Sequence, residues 1–180
     1  MSALTDVVSS NWRGIDPSFA ERFSEEYAAA WNSHQPERVL ACVTNDVVWV
    51  DAAWPGGEIR GHAGVRAYLD ATWRAIPDMQ VTLEKSALLD PAGPRAARYW
   101  HATATHTGKW DPPGLLATGR RISWHGGTFL EFRDGKACGV RVVYDVAELM
   151  RQLGVLPKGG SRGERLAFWA ANLRTRLRRR

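Results

Sequence analysis

At 180 residues the chain is long enough for one domain with its own core and short for two. Its net charge of +5 is unevenly placed: Lys158 to Arg180 carries eight bases and the single acid Glu164, so the remainder is near neutral and slightly acidic. That argues against a nucleic-acid-binding body, and two distant cysteines, Cys42 and Cys138, argue against a disulfide framework or zinc knuckle.

Residues 1–15 read as a flexible arm. The start has neither a basic n-region nor an apolar h-region, and no run approaches the roughly 20 apolar residues of a membrane span. A cytoplasmic protein is expected. Asp16 caps a first helix and Pro17 suits its first position. Phe19, Phe23, Tyr27 and Trp31 recur every four residues, placing four aromatics on one buried face. Asn32-Ser33-His34 ends this helix. Pro36 starts a short second one carrying Val39, Leu40 and Val43. Val47 to Val50 reads as a strand. Gly61-His62 opens a third helix with Val65, Leu69, Trp73 and Ile76, stopped by Pro77.

The remainder of the body is β-rich. Strands are predicted over Met79–Leu89, Arg95–Thr107, Arg121–Phe132 and Lys136–Asp145. A Pro/Gly-containing loop runs from Gly108 to Gly119, and Asp134-Gly135 makes a hairpin turn. Gly126-Gly127 suggests a bulge or kink. A short helix with Val146, Leu149, Met150 and Leu153 ends near Gly154. Helices followed by a run of antiparallel strands is the α+β pattern. The body is expected over 16–156, and a basic amphipathic helix over 157–180.

Four segments carry a resemblance: AWNSHQPERVLACVTNDVVW, GHAGVRAYL, THTGKWDPPGLLATGRR and FRDGKACGVRVVYDVAELMRQLG. Together, from Phe19 to Gly154, they resemble the SnoaL-like polyketide cyclases and ester cyclases of the nuclear transport factor 2-like superfamily. The resemblance implies a cone-shaped α+β barrel, a strongly bent antiparallel sheet wrapped around a long N-terminal helix, often dimerised through the sheet. It implies a cofactor-independent cyclase of secondary metabolism, closing a ring by an intramolecular aldol reaction on a small, aromatic or polycyclic substrate. Isomerases, epoxide hydrolases, oxygenation partners and non-catalytic binding modules share the fold, so the fold names a site and not a reaction.

By the resemblance, Asp145 matches the general acid/base of the cyclases; a carboxyl in an apolar pocket can serve as both. By alternation it shares a face with Arg141 and Val143. It could equally cap the helix that begins at Val146. His106 shares a strand face with Trp100, Ala102 and Ala104. It could orient a carbonyl or enolate oxygen, or bond backbone at the sheet rim. Asn32 could hold a substrate oxygen or a catalytic water, and His34 could touch substrate beside it, or both could simply end the helix. His62 could touch substrate or fix its turn. Arg141 could bind a substrate carboxylate or ester, pair with Asp145, or face solvent or a dimer partner. Asp51 shares a face with Trp49, and His101 and His125 complete the polar candidates. Trp31, Trp49, Trp100, Trp110 and Trp124 could stack on a flat ligand or fill the core.

The five histidines show no HxH or HExxH spacing, and there is no GxGxxG, Walker loop or GxSxG elbow. No metal and no bound cofactor are expected. In the tail, Leu166, Trp169, Leu173 and Leu177 form an apolar stripe among arginines. It could pack on the body or a dimer mate, or dock on a membrane surface or acidic partner.

Overall fold

The computed structural model describes residues 14–178. The arm expected over residues 1–15 lies outside them except for Gly14 and Ile15, and Ile15 packs against the core.

Helix α1 spans Pro17–Asn32. The Asp16 carboxylate caps it, accepting from the Phe19 N–H at 2.9 Å. The every-fourth-residue aromatics do what their spacing requires. Phe23, Tyr27 and Trp31 are buried, with Phe23 stacked on Tyr27 at 5.9 Å between ring centroids. Helix α2, Pro36–Ala41, buries Val39 and Leu40. Val43, expected on that helix, instead opens strand β1. Six residues complete less than two helical turns, and the β-branched run from Val43 favours an extended chain.

Strands β1 (Val43–Asp51) and β2 (Glu58–Arg60) lead into helix α3, Gly61–Ala75. Then come β3 (Gln80–Leu89), β4 (Arg95–Thr105), β5 (Arg121–Arg133) and β6 (Lys136–Tyr144). Asp134 and Gly135 both have positive φ, 53° and 76°, as a tight hairpin turn demands. Helix α4, Val146–Leu153, ends on Gly154 in the left-handed region. Helix α5 spans Arg162–Arg178.

The six strands form one curled, unclosed sheet in the order β2-β1-β6-β5-β4-β3. Every neighbouring pair is antiparallel except β1 and β6, which run parallel. Helix α1 packs on β3, and α3 packs on β1. The register corrects one expectation. Gly126-Gly127 pairs regularly with Trp100 and Tyr99, and the bulge in this hairpin falls at Glu131/Phe132. Glycine is needed at 126 for another reason: a Cβ there would lie 2.4 Å from the Trp100 ring. Among the described residues, no helix is long and apolar enough to cross a membrane.

Candidate functional site

The concave face of the sheet and helices α1, α3 and α4 enclose a cavity of about 90 Å³. Alternation along the strands turns Trp100, Trp124, Leu130 and Val142 into it, and α1 contributes Tyr27 and Trp31. The wall is mostly apolar and aromatic, the usual lining of a small-molecule site.

One carboxylate stands in that wall. Asp51, last residue of β1, is 2% exposed. Three donors converge on it. The Tyr68 hydroxyl donates to Oδ2 at 2.7 Å, the Tyr144 hydroxyl to Oδ1 at 3.1 Å, and the Ala53 N–H to Oδ1 at 2.9 Å. A carboxylate offers about four lone-pair positions, so one acceptor position remains for a further proton. Burial pushes both phenols well above the usual tyrosine range, and the neighbouring Asp51 charge adds to it. Both therefore stay protonated across the physiological range and act as donors. The chain supplies this trio from three elements: the end of β1, the middle of α3 and the end of β6.

Two more polar groups belong to the same wall. The Tyr27 hydroxyl and the Trp49 indole N–H are buried without a hydrogen-bond partner among the described residues. An unpaired buried donor is destabilising unless something accepts from it. Arg98 also lines the cavity; it pairs with Glu21, and its Nε has no partner.

His106 is fully buried beside Trp110, with ring centroids 5.9 Å apart. Its Nδ1 accepts from the Thr118 N–H at 3.3 Å and lies 3.1 Å from the Thr118 hydroxyl. That leaves the proton on Nε2, which has no partner. Burial lowers the His106 pKa from the usual value. The folded chain thus holds a neutral ring where the unfolded chain binds a proton below about pH 6.5. Stability is expected to be fully present above that pH and to be lost as pH falls toward the folded pKa. Urea unfolding between pH 7.5 and 5 checks this: the fall in stability should shrink in His106→Gln, which cannot titrate.

The structure does not bring Asp145 to the cavity. Arg141, Val143 and Asp145 do share a face, but it is the outer, exposed one. Val142 and Tyr144 are the inward residues of β6. The Asp145 carboxylate caps α4, accepting from the Glu148 N–H at 2.8 Å. Asn32 is also occupied: it donates to the Val81 carbonyl at 2.9 Å and accepts from the Val81 N–H at 2.7 Å, clamping α1 to β3. His34 binds the Met79 carbonyl at 2.8 Å and His62 the Val43 carbonyl at 3.2 Å, so both are tied to backbone. His101 and His125 stack on each other, 4.5 Å between centroids, with His101 on Ser123 and His125 on Glu84. Of the sequence candidates, Trp31, Trp49, Asp51, Trp100, Trp110 and Trp124 meet at the cavity. Trp100 donates to the Thr128 hydroxyl at 2.9 Å. Tyr68, Tyr144, Tyr27 and Arg98 were missed. The signal for Tyr144 was its two-residue spacing from Val142 and Val140 on an apolar strand face; for Tyr68, it was its place three residues after Val65 and four before Thr72 on the buried face of α3.

The family model for the SnoaL-like polyketide cyclases matches residues 21–153. No curated relative matches the chain. Among solved structures it is similar to AclR, a proposed hydroxylase from Streptomyces galilaeus, at 26% identity and a TM-score of 0.67. That match covers 91% of this chain and 97% of AclR. It is similar to TsrD from Streptomyces laurentii at 24% identity and a TM-score of 0.67, covering 79% and 99%. A proposed polyketide cyclase from Pseudomonas putida matches at 22% identity and a TM-score of 0.63, covering 74% and 96%. The latter two show the fold alone, and a solved structure from Catenulispora acidiphila with the ketosteroid isomerase-like fold matches too, at 20% identity and a TM-score of 0.60, covering 73% of this chain and 92% of that one.

Proposed function

We propose, for a chain that belongs to the SnoaL-like polyketide cyclase family, that it is a cyclase of secondary metabolism using Asp51, and not Asp145, as its proton carrier. The observation that carries this is the buried Asp51 carboxylate with Tyr68 and Tyr144 on its oxygens, set in an aromatic cavity. In an aldol ring closure, the free Asp51 position takes the proton from carbon next to a carbonyl. The resulting enolate carbon attacks a second carbonyl of the same molecule, forming the new C–C bond. The second carbonyl oxygen becomes an alkoxide and takes a proton, from a tyrosine hydroxyl or back from Asp51. Nothing is oxidised, so substrate and product have the same mass. The Tyr27 hydroxyl and Trp49 N–H supply donors for a developing oxyanion. The tryptophans give a flat aromatic ring of the substrate its stacking surface.

A second reading, hydroxylation, is favoured by the likeness to AclR over nearly the whole chain. Metabolite profiling separates the two. A strain lacking the gene should accumulate one compound that the wild-type gene converts to an isomer of equal mass. A product one oxygen heavier supports hydroxylation; no accumulating compound removes both readings.

We also read the outer sheet face as the dimer surface that the resemblance implies. Phe129 is 53% exposed there, and Val48, Val50 and Arg141 line the same groove. The full chain should sediment as a dimer, and Phe129→Arg, placing a charge in that apolar face, should sediment as a monomer. A monomeric wild type, or an unchanged dimer in the variant, rejects this surface.

A further inference from the structure

Helix α5 does not join the core. Every large apolar side chain on it is out in solvent: Leu166 is 64% exposed, Phe168 63%, Trp169 62%, Leu173 43% and Leu177 65%. A run of this kind is unusual on a protein surface and marks a place where something docks. Its arrangement says what. At roughly 100° per residue, Leu166, Trp169, Leu173 and Leu177 fall within an arc of about 80°. Arg165 and Arg176 border this arc on one side and Arg174 on the other, all exposed; Arg162, the helix's first residue, falls within the arc at its N-terminal end. Glu164 is the helix's only acid and lies on the far side, in the first turn. Phe168 departs from the stripe and faces away from it.

A coiled-coil seam is commonly flanked by charges of both signs that pair across it. This helix presents an apolar band with a tryptophan, flanked on both edges by long cationic side chains that can reach outward while their stems stay with the band. We propose that α5 lies flat on an anionic lipid surface, with Leu166, Trp169, Leu173 and Leu177 in the acyl boundary and Arg165, Arg174 and Arg176 on the headgroups. The charge pattern argues for the occupant: the helix carries five arginines to one acid, which suits an anionic surface, while the rest of the chain has a net charge close to zero. The cavity and its chemistry play no part in this.

The test uses the full chain and flotation with vesicles of phosphatidylcholine alone or mixed with phosphatidylglycerol. The chain should float with the mixed vesicles only, and rising salt should release it. Each Arg→Gln change at 165, 174 or 176 should lower partitioning about fivefold. The double variant Leu166→Glu/Leu173→Glu should stay in the soluble fraction. Phe168→Ala should float like wild type. Because α5 stands apart from the core, circular dichroism and thermal unfolding of the body should be unchanged in all of them. Failure to float with anionic vesicles overturns the proposal, as does equal flotation with phosphatidylcholine alone or unchanged flotation of the double variant. So does a wild-type oligomer that the double variant breaks into smaller species, which would assign the stripe to a second copy of the chain.

Discussion

Asp51→Asn is expected to lower turnover by about 10²–10⁴-fold, the usual contribution of a positioned proton carrier, while Asp145→Asn leaves it unchanged. The substitution at 51 keeps the side chain's shape and removes its ability to take a proton. Its amide can still accept from Ala53 and one tyrosine, but its NH₂ meets the other hydroxyl, which must rotate to accept. A stability loss of about 1–3 kcal/mol follows from disturbing a buried polar trio, so turnover is compared only after circular dichroism confirms the fold. Asn is as good a helix cap as Asp, and the Asp145 carboxylate does nothing in the structure except cap α4. The pair of variants therefore separates proton transfer from capping. A folded Asp51→Asn protein that converts the accumulated compound at the wild-type rate would leave Asp51 as a structural anchor. Loss of turnover in Asp145→Asn alone would return the chemistry to the β6–α4 junction.

That contrast shows where sequence reading stops. The elements were legible because their signals are local. Asp16-Pro17 starts α1, the aromatics every four residues bury its face, and Asp134-Gly135 closes the β5–β6 hairpin. The alternation along β6 was legible too, down to Arg141, Val143 and Asp145 sharing a side. Which side faces the cavity was not, because a two-residue period defines two faces without naming either. Val140, Val142 and Tyr144 are the less charged set, and burial of an unpaired guanidinium at 141 would be strongly unfavourable; weighing those two points would have favoured Tyr144. Asp51 was within reach for the opposite reason. It shares a face with Trp49, but its partners sit 17 and 93 residues away, and no local pattern links them. Asn32, His34 and His62 looked like substrate-holding groups because they are polar residues at element ends. Such residues are also what binds loose backbone, and each does so here.

Gly108→Ala is expected to be the most destabilising single-methyl change among the described glycines. Gly108 lies near the start of the loop between β4 and β5, and this loop carries both Trp110 of the cavity wall and Thr118, the partner of His106. The loop is fastened to the end of α3: the N–H groups of Thr107 and Gly108 both donate to the Ala75 carbonyl at 3.1 Å. A Cβ at 108 would lie 1.8 Å from the Arg74 carbonyl oxygen and 2.9 Å from its carbon. Both are backbone atoms, so no rotamer change relieves the overlap; either the loop lifts off or the helix end unwinds. Overpacking together with strained hydrogen bonds costs about 2–4 kcal/mol, which in a chain of this size is a fall in Tm of roughly 4–16 °C. Gly93→Ala serves as the comparison, since a Cβ there meets only the Arg95 side chain, at 3.5 Å, and its Tm should stay at the wild-type value. The loop's second task gives a second readout. If it holds Trp110 against the cavity, the Gly108→Ala protein should convert the accumulated compound more slowly even at temperatures where it is fully folded. Wild-type melting in Gly108→Ala would mean that the loop does not sit on α3. A lowered Tm with unimpaired turnover would mean that the loop supports the fold and takes no part in the site.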